Sequence, residues 1–289
     1  MPFRRVADIF PRAAFARALA GTFRNHASKT STMPSPLTDA DYDALSGALA
    51  RQNERDSLLV GTIAKWKATS EAATALEKTC SDNMIAAYFF GGVCRDCWNG
   101  KTPRDIDIVV DDAFWNDFHK AAEPHKPREN RFGGLKFSLH GTSVDAWPIA
   151  KTWTFANGLS RPAAATQLPE TTFLNIESVV AMVWHPEEPW VFQKGFYRAM
   201  ESRTLKIQNF NNPHPALCIA RIRKFVERDG WIPGDSVKAF EQNYFKEGGK
   251  ECDIVAATKV HYGDGVVLQG ASGARALSSA AKSGIARRP

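Results

Sequence analysis

Residues 88–112 read YFFGGVCRDCWNGKTPRDIDIVVDD, and this stretch decides the fold of the chain. An apolar run over residues 85–90 ends at the pair Gly91-Gly92. A short segment then leads to RDIDIVV, in which Asp105 and Asp107 alternate with isoleucines. Because alternate residues of a strand point to the same face, the pattern predicts two carboxylates side by side, opposite a face of buried isoleucines.

The two predicted neighbouring carboxylates need a counter-charge. Asp105 and Asp107 would repel each other unless a cation lies between them. A hard divalent ion, Mg²⁺ or in its place Mn²⁺, prefers oxygen ligands of this kind, and Mg²⁺ also binds substrate phosphates. An Asp-x-Asp pair taken alone also occurs on solvated strand faces and in turns, so the surrounding residues decide between the two interpretations.

The glycine pair supplies a second part of a site. Gly91 and Gly92 allow positive φ and a close approach of the backbone to a ligand. Backbone N–H groups at such a turn, where a helix begins, favour a phosphate group. A phosphate-binding turn followed by paired metal carboxylates is the equipment of phosphoryl or nucleotidyl transfer.

The stretch GGVCRDCWNGKTPRDIDIVV resembles the head-domain signature of poly(A) polymerases and tRNA CCA-adding enzymes, within the polymerase-β-like nucleotidyltransferase superfamily. That signature reads Gly-Gly-x-x-Arg-Asp, then a glycine, a proline and Asp-x-Asp. The matching residues are Gly91, Gly92, Arg95, Asp96, Gly100, Pro103, Asp105 and Asp107. The resemblance implies that Asp105 and Asp107 are catalytic metal ligands and that both glycines bind the nucleotide. Arg95 either binds the nucleotide at the leaving pyrophosphate or pairs with Asp96 in a structural role.

The resemblance also implies a third catalytic carboxylate on a later strand. The best candidate is Asp145, in KFSLHGTSVDAWPI at residues 136–149. Strands are predicted over 137–139 and 143–147, with Asp145 on the face opposite Val144. In the implied role Asp145 joins the metal site and helps to deprotonate the acceptor hydroxyl. Taken alone, it would cap or solvate the end of a strand.

Composition sets the class of protein. The 289 residues are 44% hydrophobic and 24% charged, as in globular proteins, and suffice for one large domain or two small ones. A net charge of +6 and a pI of about 9.1 mildly favour an anionic partner, but much of the excess lies in the basic ends, 1–30 and 272–289. No apolar run reaches the length of about 18 residues that a transmembrane helix needs, so we expect no membrane partner.

The chain has five cysteines, an odd number, and their spacing is not that of a disulfide framework, which fits a reducing cytoplasm. Cys94-x-x-Cys97 has the spacing of a zinc or redox half-site, but no second cysteine pair completes it. Packing thiols on the predicted short helix are the favoured interpretation.

The predicted fold class is α+β, a nucleotidyltransferase fold with a small mixed β-sheet flanked by helices and a short helical C-terminal subdomain. We expect a flexible basic extension over 1–36, the nucleotidyltransferase head over 37–200, a helical neck-like subdomain over 201–247, and an irregular, disordered tail over 248–289. The arginine-rich residues 1–32 have three interpretations: an organellar transit peptide, an extension upstream of a start at Met33, or a basic amphipathic helix.

Two later segments bear on the substrate. Residues 150–169 are loop-like and hold Lys151, Trp153, Phe155 and Arg161, which either line the substrate cleft or belong to an ordinary surface loop. Residues 216–227, ALCIARIRKFVE, predict a helix that resembles the family's neck helix, with Arg221 at a matching position. Another helix is predicted from Trp231 to Phe245.

The neck departs from CCA-adding enzymes at the positions that choose CTP and ATP. Their aspartate and arginine fall on Pro215 and Cys218, which cannot offer the same hydrogen bonds to a base edge. CCA synthesis is therefore not predicted, although the head signature matches.

The sequence as a whole predicts a Mg²⁺-dependent nucleotidyltransferase that moves an NMP from an NTP to an acceptor hydroxyl and releases pyrophosphate. ATP is the expected nucleotide, and a small molecule or a protein the expected acceptor. Two alternatives stay open: transfer to an RNA 3′ end, as in poly(A) polymerases, and a non-catalytic module that binds a nucleotide or a partner protein. Salt-sensitive RNA binding would separate the first alternative from the main prediction.

Overall fold

The computed structural model describes residues 39–130, 132–160, 163–184 and 190–263. The α-helices are α1 (Asp39–Lys67), α2 (Glu71–Asp82), α3 (Gly92–Trp98), α4 (Trp115–Ala122), α5 (Trp153–Ala156), α6 (Leu168–Thr171), α7 (Phe196–Ser202), α8 (Pro215–Asp229), α9 (Asp235–Lys246) and α10 (Glu251–Tyr262). The strands are β1 (Ala87–Phe90), β2 (Asp105–Val110), β3 (Arg128–Glu129), β4 (Leu135–Leu139), β5 (Thr142–Pro148), β6 (Val179–Met182), β7 (Val191–Gln193), β8 (Thr204–Leu205) and β9 (Ile232–Pro233). Short 3₁₀ turns cover Asp112–Phe114, Glu123–His125, Ile149–Lys151, Ala165–Gln167 and Asn175–Glu177.

Within the described ranges, seven strands form one sheet in the order β3-β4-β5-β2-β1-β6-β7. Strands β2 and β5 run parallel, and the other neighbouring pairs run antiparallel. The sheet is therefore mixed, and helices flank it, which confirms the predicted α+β fold class. Strands β8 and β9 form a separate parallel pair.

The alternation of apolar and acidic residues decides which face of the sheet is the main core. Ile106 and Ile108 of β2 and Val144 and Ala146 of β5 are fully buried, and they belong to the largest apolar cluster. The opposite face carries a smaller cluster around Val109. Because Asp107 lies two residues before Val109, it shares this second face, where the core is incomplete and a cleft can form.

The chain divides into two compact units, Met1–Leu49 and Ala50–Pro289, and the seven-stranded sheet lies in the second. The expected boundary between residues 200 and 201 falls within α7. The expected basic extension over 1–36 and the end of the expected tail, 264–289, lie outside the described residues. In the part of the chain that the structure describes, no helix is both long and apolar enough to cross a membrane.

The C-terminal region is more regular than the sequence predicted. Residues 251–262, expected to be irregular, form α10, because Ile254 packs in a buried cluster with Ile219 and Ala220 of α8. Arg223 of α8 is 3% exposed and donates hydrogen bonds to Glu241 of α9 and Glu251 of α10.

The helix predicted from Trp231 begins only at Asp235. Ile232 and Pro233 form β9 instead, because the Ile232 N–H donates to the Arg203 carbonyl at 2.8 Å and the Gly234 N–H to the Leu205 carbonyl at 2.9 Å. These long-range backbone bonds override the local helical pattern.

Candidate active site

The three predicted carboxylates lie on one face of two adjacent strands. Asp107 of β2 and Asp145 of β5 are direct register partners, and Asp105 precedes Asp107 by two residues on the same face. The structure therefore brings together the residues that the sequence singled out from separate segments.

Two of these carboxylates carry basic partners from the protein itself. The guanidinium of Arg104 donates to Asp105 at 2.6 Å, and the ammonium of Lys136, on β4 opposite Asp145, donates to Asp145 at 2.9 Å. In the ranges that the structure covers, no three His, Cys, Asp or Glu side chains are grouped so as to hold a metal ion. The protein thus neutralises the outer two carboxylates internally.

Asp107, between them, forms no ion pair or hydrogen bond with any residue that the structure describes, and its pKa is shifted. Burial raises the pKa of Asp107 to about 7, with repulsion from Asp105 and then Asp145 adding to the effect and Arg221 opposing it. Carboxylate oxygens are ligands that Mg²⁺ or Mn²⁺ prefers, but Arg104 and Lys136 occupy those of Asp105 and Asp145 in the structure.

The glycine turn lines the same cleft as Asp107 and Asp145. Its backbone approaches Glu177 closely, which favours glycine at position 91. Gly91 has φ +48°, and a Cβ there would lie 3.3 Å from both the Cβ and the carbonyl oxygen of Glu177. The Gly91 N–H donates to the Val179 carbonyl at 3.0 Å, and its binding to a phosphate stays a prediction. Gly92 begins α3, and its N–H therefore has no acceptor within the helix.

Glu177 is a central residue that the sequence reasoning missed. It is only 4% exposed and accepts hydrogen bonds from Arg95 and Arg221. Glu177 in turn raises the pKa of Arg221. A single acid within the apolar run FLNIESVV was the available signal, because a carboxylate is rarely buried without a charged partner.

Arg95 is held by contacts inside the protein. It donates to Asp96 at 2.8 Å and to Glu177, and its guanidinium lies 5.0 Å from the ring centre of Phe225. It is not among the residues that line the cleft described below. These contacts favour the structural alternative for Arg95, and its binding to a nucleotide stays a prediction.

A cleft of about 1030 Å³ opens above Asp107 and Asp145. One group of lining residues comes from the glycine turn, the Asn175–Glu177 turn and the start of α8: Gly91, Gly92, Glu177, His214 and Arg221. A second group, which we name the aromatic wall, comprises Phe132, Lys136, Trp147, Lys151 and Trp153. Of the four loop residues predicted to line a cleft, Lys151 and Trp153 do so, Phe155 packs against the smaller apolar cluster, and Arg161 lies outside the described residues.

The cysteine pair on α3 is buried. Cys94 and Cys97 are 0% and 3% exposed, and burial raises both thiol pKa values, that of Cys97 to about 12. Both therefore stay protonated at neutral pH and pack as apolar side chains, in agreement with the favoured interpretation.

The comparisons with known proteins agree with the fold. No protein-family model matches the chain, and no curated protein matches its sequence. Solved structures do match. A CCA-adding enzyme in complex with CTP has a TM-score of 0.53 and 15% identity, over 70% of this chain and 50% of that chain. The Thermotoga maritima CCA-adding enzyme complexed with tRNA has a TM-score of 0.51 and 16% identity, over 71% of this chain and 48% of that one.

A third structure, a CCA-adding enzyme in complex with ATP, has a TM-score of 0.50 and 16% identity, over 71% of this chain and 48% of that one. The chain therefore matches about half the length of these enzymes. At such low identity the likeness concerns the fold alone. The chain has the nucleotidyltransferase-like fold of these CCA-adding enzymes.

Proposed function

We propose that the protein is a metal-dependent nucleotidyltransferase that moves an NMP from an NTP to an acceptor hydroxyl and releases pyrophosphate. The observation that carries the proposal is the cross-strand pair Asp107 and Asp145, with Asp105 beside it, at the base of a cleft next to the glycine turn. A pure binding module has no need of three mutually repelling carboxylates.

The carboxylates would hold the cation. Asp105, Asp107 and Asp145 supply oxygen ligands for Mg²⁺ or Mn²⁺, which when bound would offset the charge of the triphosphate. Binding would require Arg104 and Lys136 to give up their present partners, so the two basic side chains become available to phosphate oxygens.

The protein's own groups would orient the reactants. The Gly92 N–H, at the start of α3, and the Arg221 guanidinium, held by Glu177 at the cleft, would bind the phosphates. The acceptor oxygen bonds to the α-phosphorus, and the bond from that phosphorus to the bridging oxygen of pyrophosphate breaks. The hydroxyl proton passes to Asp145 and then to solvent.

The NTP is expected to be ATP. The structural neighbours include CCA-adding enzymes in complex with ATP and with CTP. In this chain Pro215 begins α8 and Cys218 is buried, so the groups that would read the base must come from elsewhere in the cleft. We therefore do not propose CCA addition. The described cysteines are free thiols, which supports a reducing cytoplasm as the location.

Two other functions have specific support. Transfer to an RNA 3′ end is favoured by the neighbour that is complexed with tRNA. A non-catalytic binding module is favoured by Arg104 and Lys136, which neutralise two of the carboxylates without a metal.

The test is transfer of label from each α-labelled NTP, with Mg²⁺, to small molecules, protein or RNA in a cell extract. The full chain is compared with Asp107→Asn and with Asp117→Asn, an exposed aspartate of α4 outside the cleft. We expect Asp107→Asn to lower transfer by about 10²–10³-fold, the usual loss when one electrostatic group leaves a catalytic site, and Asp117→Asn to leave it unchanged. Transfer by Asp107→Asn at the wild-type rate, or no Mg²⁺-dependent NTP binding by the wild type, would refute the proposal.

A further inference from the structure

Two segments that help to line the cleft contain no charged residue. Residues 152–160, TWTFANGLS, and residues 207–214, IQNFNNPH, hold no Asp, Glu, Lys or Arg, in a chain of which 24% is charged. The cleft is lined by residues 152–154 of the first segment and by residues 209 and 211–214 of the second. The described charged residues that line it belong to other segments: Asp107, Asp145, Glu177, Arg221, and Lys136 and Lys151 of the aromatic wall. We name the two segments together the uncharged rim.

Hydrogen bonds join the two segments and fix the shape of the second. The Asn209 side-chain amide donates to the Thr154 hydroxyl at 3.3 Å, which links one segment directly to the other. The Gln208 N–H donates to the Phe173 carbonyl at 2.8 Å. The side-chain oxygens of Asn209 and Asn212 each accept a backbone N–H from the residue two positions later, at 2.9 Å. The uncharged rim is therefore one hydrogen-bonded surface at the edge of the cleft.

Each segment of the rim exposes one large apolar side chain. Phe210 is 56% exposed, although its neighbours Asn209 and Asn211 line the cleft. Leu159 is 45% exposed, and its N–H donates at 2.9 Å to the carbonyl of Thr154, which lines the cleft too. Single exposed apolar residues are common on protein surfaces, but these two belong to segments that contact each other beside one cleft. Their placement favours a partner that covers apolar side chains there.

The rim also offers neutral hydrogen-bonding groups. The hydrogen bonds found among the described residues leave the side-chain amide of Asn211 and the side-chain N–H groups of Asn212 unused. A carboxamide carries both donors and an acceptor, so it can pair with the N–H and the C=O of a peptide group. Both residues line the cleft, so a chain that binds them passes close to the proposed reaction centre.

The absence of charge from the rim distinguishes between classes of partner. A nucleic acid binds through Lys and Arg side chains that neutralise its phosphates, and the rim has neither. A small polar molecule would gain nothing from the exposed side chains of Phe210 and Leu159. An extended polypeptide presents peptide groups and apolar side chains together, which matches what the rim offers.

We propose that the uncharged rim docks a segment of a protein chain, and that the acceptor is a serine, threonine or tyrosine hydroxyl of that segment. This inference rests on the proposed function and names the class of its acceptor. The hydroxyl oxygen bonds to the α-phosphorus of the NTP, the bond from that phosphorus to pyrophosphate breaks, and the proton passes to Asp145 and then to solvent. The product is a phosphodiester between the NMP and the protein side chain.

The experiment measures transfer from each α-labelled NTP, with Mg²⁺, by the full chain. The acceptors are a library of short peptides with a central serine, threonine or tyrosine, the same library with a central alanine, total RNA, and a protein-free extract of small molecules. We expect label to enter the hydroxyl library alone. Peptides with leucine or phenylalanine beside the hydroxyl should be labelled at least about tenfold more than peptides with aspartate or glutamate there, because burial of an apolar side chain favours binding.

Variants locate the docking surface. Phe210→Ser and Leu159→Ser should each raise the KM for the preferred peptides about tenfold and leave the affinity for a non-hydrolysable ATP analogue unchanged. The matched control is Leu58→Ser, at a leucine of α1 that is 56% exposed and lies outside the cleft, and it should change neither quantity. Thermal unfolding of the three variants shows whether each is folded as the wild type is.

The outcomes separate this inference from the proposed function. Label that enters RNA or small molecules but no peptide keeps the proposed function and overturns the protein acceptor. The same KM for peptides in Phe210→Ser, Leu159→Ser and Leu58→Ser overturns the uncharged rim as the docking surface. If the ATP analogue does not bind the wild type with Mg²⁺, the proposed function fails, and the protein acceptor fails with it.

Discussion

Two regions contribute to the same cleft: the adjacent inner strands β2 and β5, and the start of α8. They differ in how many residues of the family signature they keep. On β2 and β5 the predicted carboxylates are all present, and Asp107 and Asp145 are register partners. At the start of α8, a proline and a buried cysteine occupy the positions expected to read a base. The difference teaches that a head-domain signature can be kept in full while the neck residues it is usually found with are replaced.

The largest expected effect concerns Glu177, which pairs with Arg95 of α3 and with Arg221 of α8. Glu177→Gln removes the charge that pairs with Arg95 and Arg221 while it keeps the shape of the side chain. Because two guanidiniums lose their buried anionic partner, we expect the free energy of unfolding to fall by about 3–5 kcal/mol. Urea unfolding measures this.

The matched control for that variant is Glu170→Gln, since the Glu170 side chain pairs with Lys194 at 2.6 Å but is 39% exposed, against 6% for Glu177. It should cost no more than about 1 kcal/mol. Equal losses in the two variants would show that burial of the Glu177 ion pairs adds nothing to their effect on stability.

The second effect is a pH dependence centred on Asp107 of β2. The folded protein holds the Asp107 pKa at about 7, above the ordinary value of 3.8. Between these values the folded state keeps a proton that the unfolded chain releases, so stability falls as pH rises, by at most about 1.4 kcal/mol per pKa unit of the difference.

Urea unfolding in EDTA from pH 4.5 to 8, on the wild type and Asp107→Asn, measures the contribution of Asp107 protonation to stability. As pH rises, the free energy of unfolding of the wild type should fall relative to that of the variant. The difference should level off above pH 7. Parallel pH profiles would contradict the raised pKa.

A smaller effect tests whether Lys136 competes with a cation for Asp145. Lys136→Gln removes a positive charge 2.9 Å from that carboxylate. We expect the Mg²⁺ concentration for half-maximal NTP binding to fall about fivefold, equivalent to about 1 kcal/mol. Lys120→Gln on α4 should leave it unchanged, and an equal shift in both variants would point to net charge rather than to the site.

The smallest effect is expected at the start of α8. His214 lines the cleft and is exposed, so His214→Ala should change stability by no more than about 0.5 kcal/mol. Pro215 and Cys218 replace the base-reading residues that the resemblance implies. If His214 selects the base in their place, His214→Ala should change the ratio of ATP to CTP use while the rate with ATP stays similar. Competition between the two labelled nucleotides measures the ratio.

Sequence reasoning succeeded where one local pattern determines the structure. The alternation in RDIDIVV placed Asp105 and Asp107 on one face, and the same rule placed Asp145 opposite Val144. These arguments need only the period of a strand and the exclusion of charge from a core.

It failed where partners distant in the chain decide. Glu177 is defined by Arg95 and Arg221, which lie 82 and 44 residues away. The Gly91 N–H is taken by Val179, and α10 forms because Arg223 and Ile219 of α8 receive it. Because these partners lie far apart in the chain, no local pattern identifies them.

The buried pairing of Arg223 with Glu241 and Glu251 has a consequence for the cleft. Arg223 and Arg221 are two residues apart on α8, and so point about 200° apart around the helix. One guanidinium is anchored by the two C-terminal helices, and the other reaches the cleft beside Asp107. The same turn of α8 is therefore held on one side by Glu241 and Glu251 and presents Arg221 to the cleft on the other, so a substitution at Glu251 removes a contact that fixes the helix carrying Arg221.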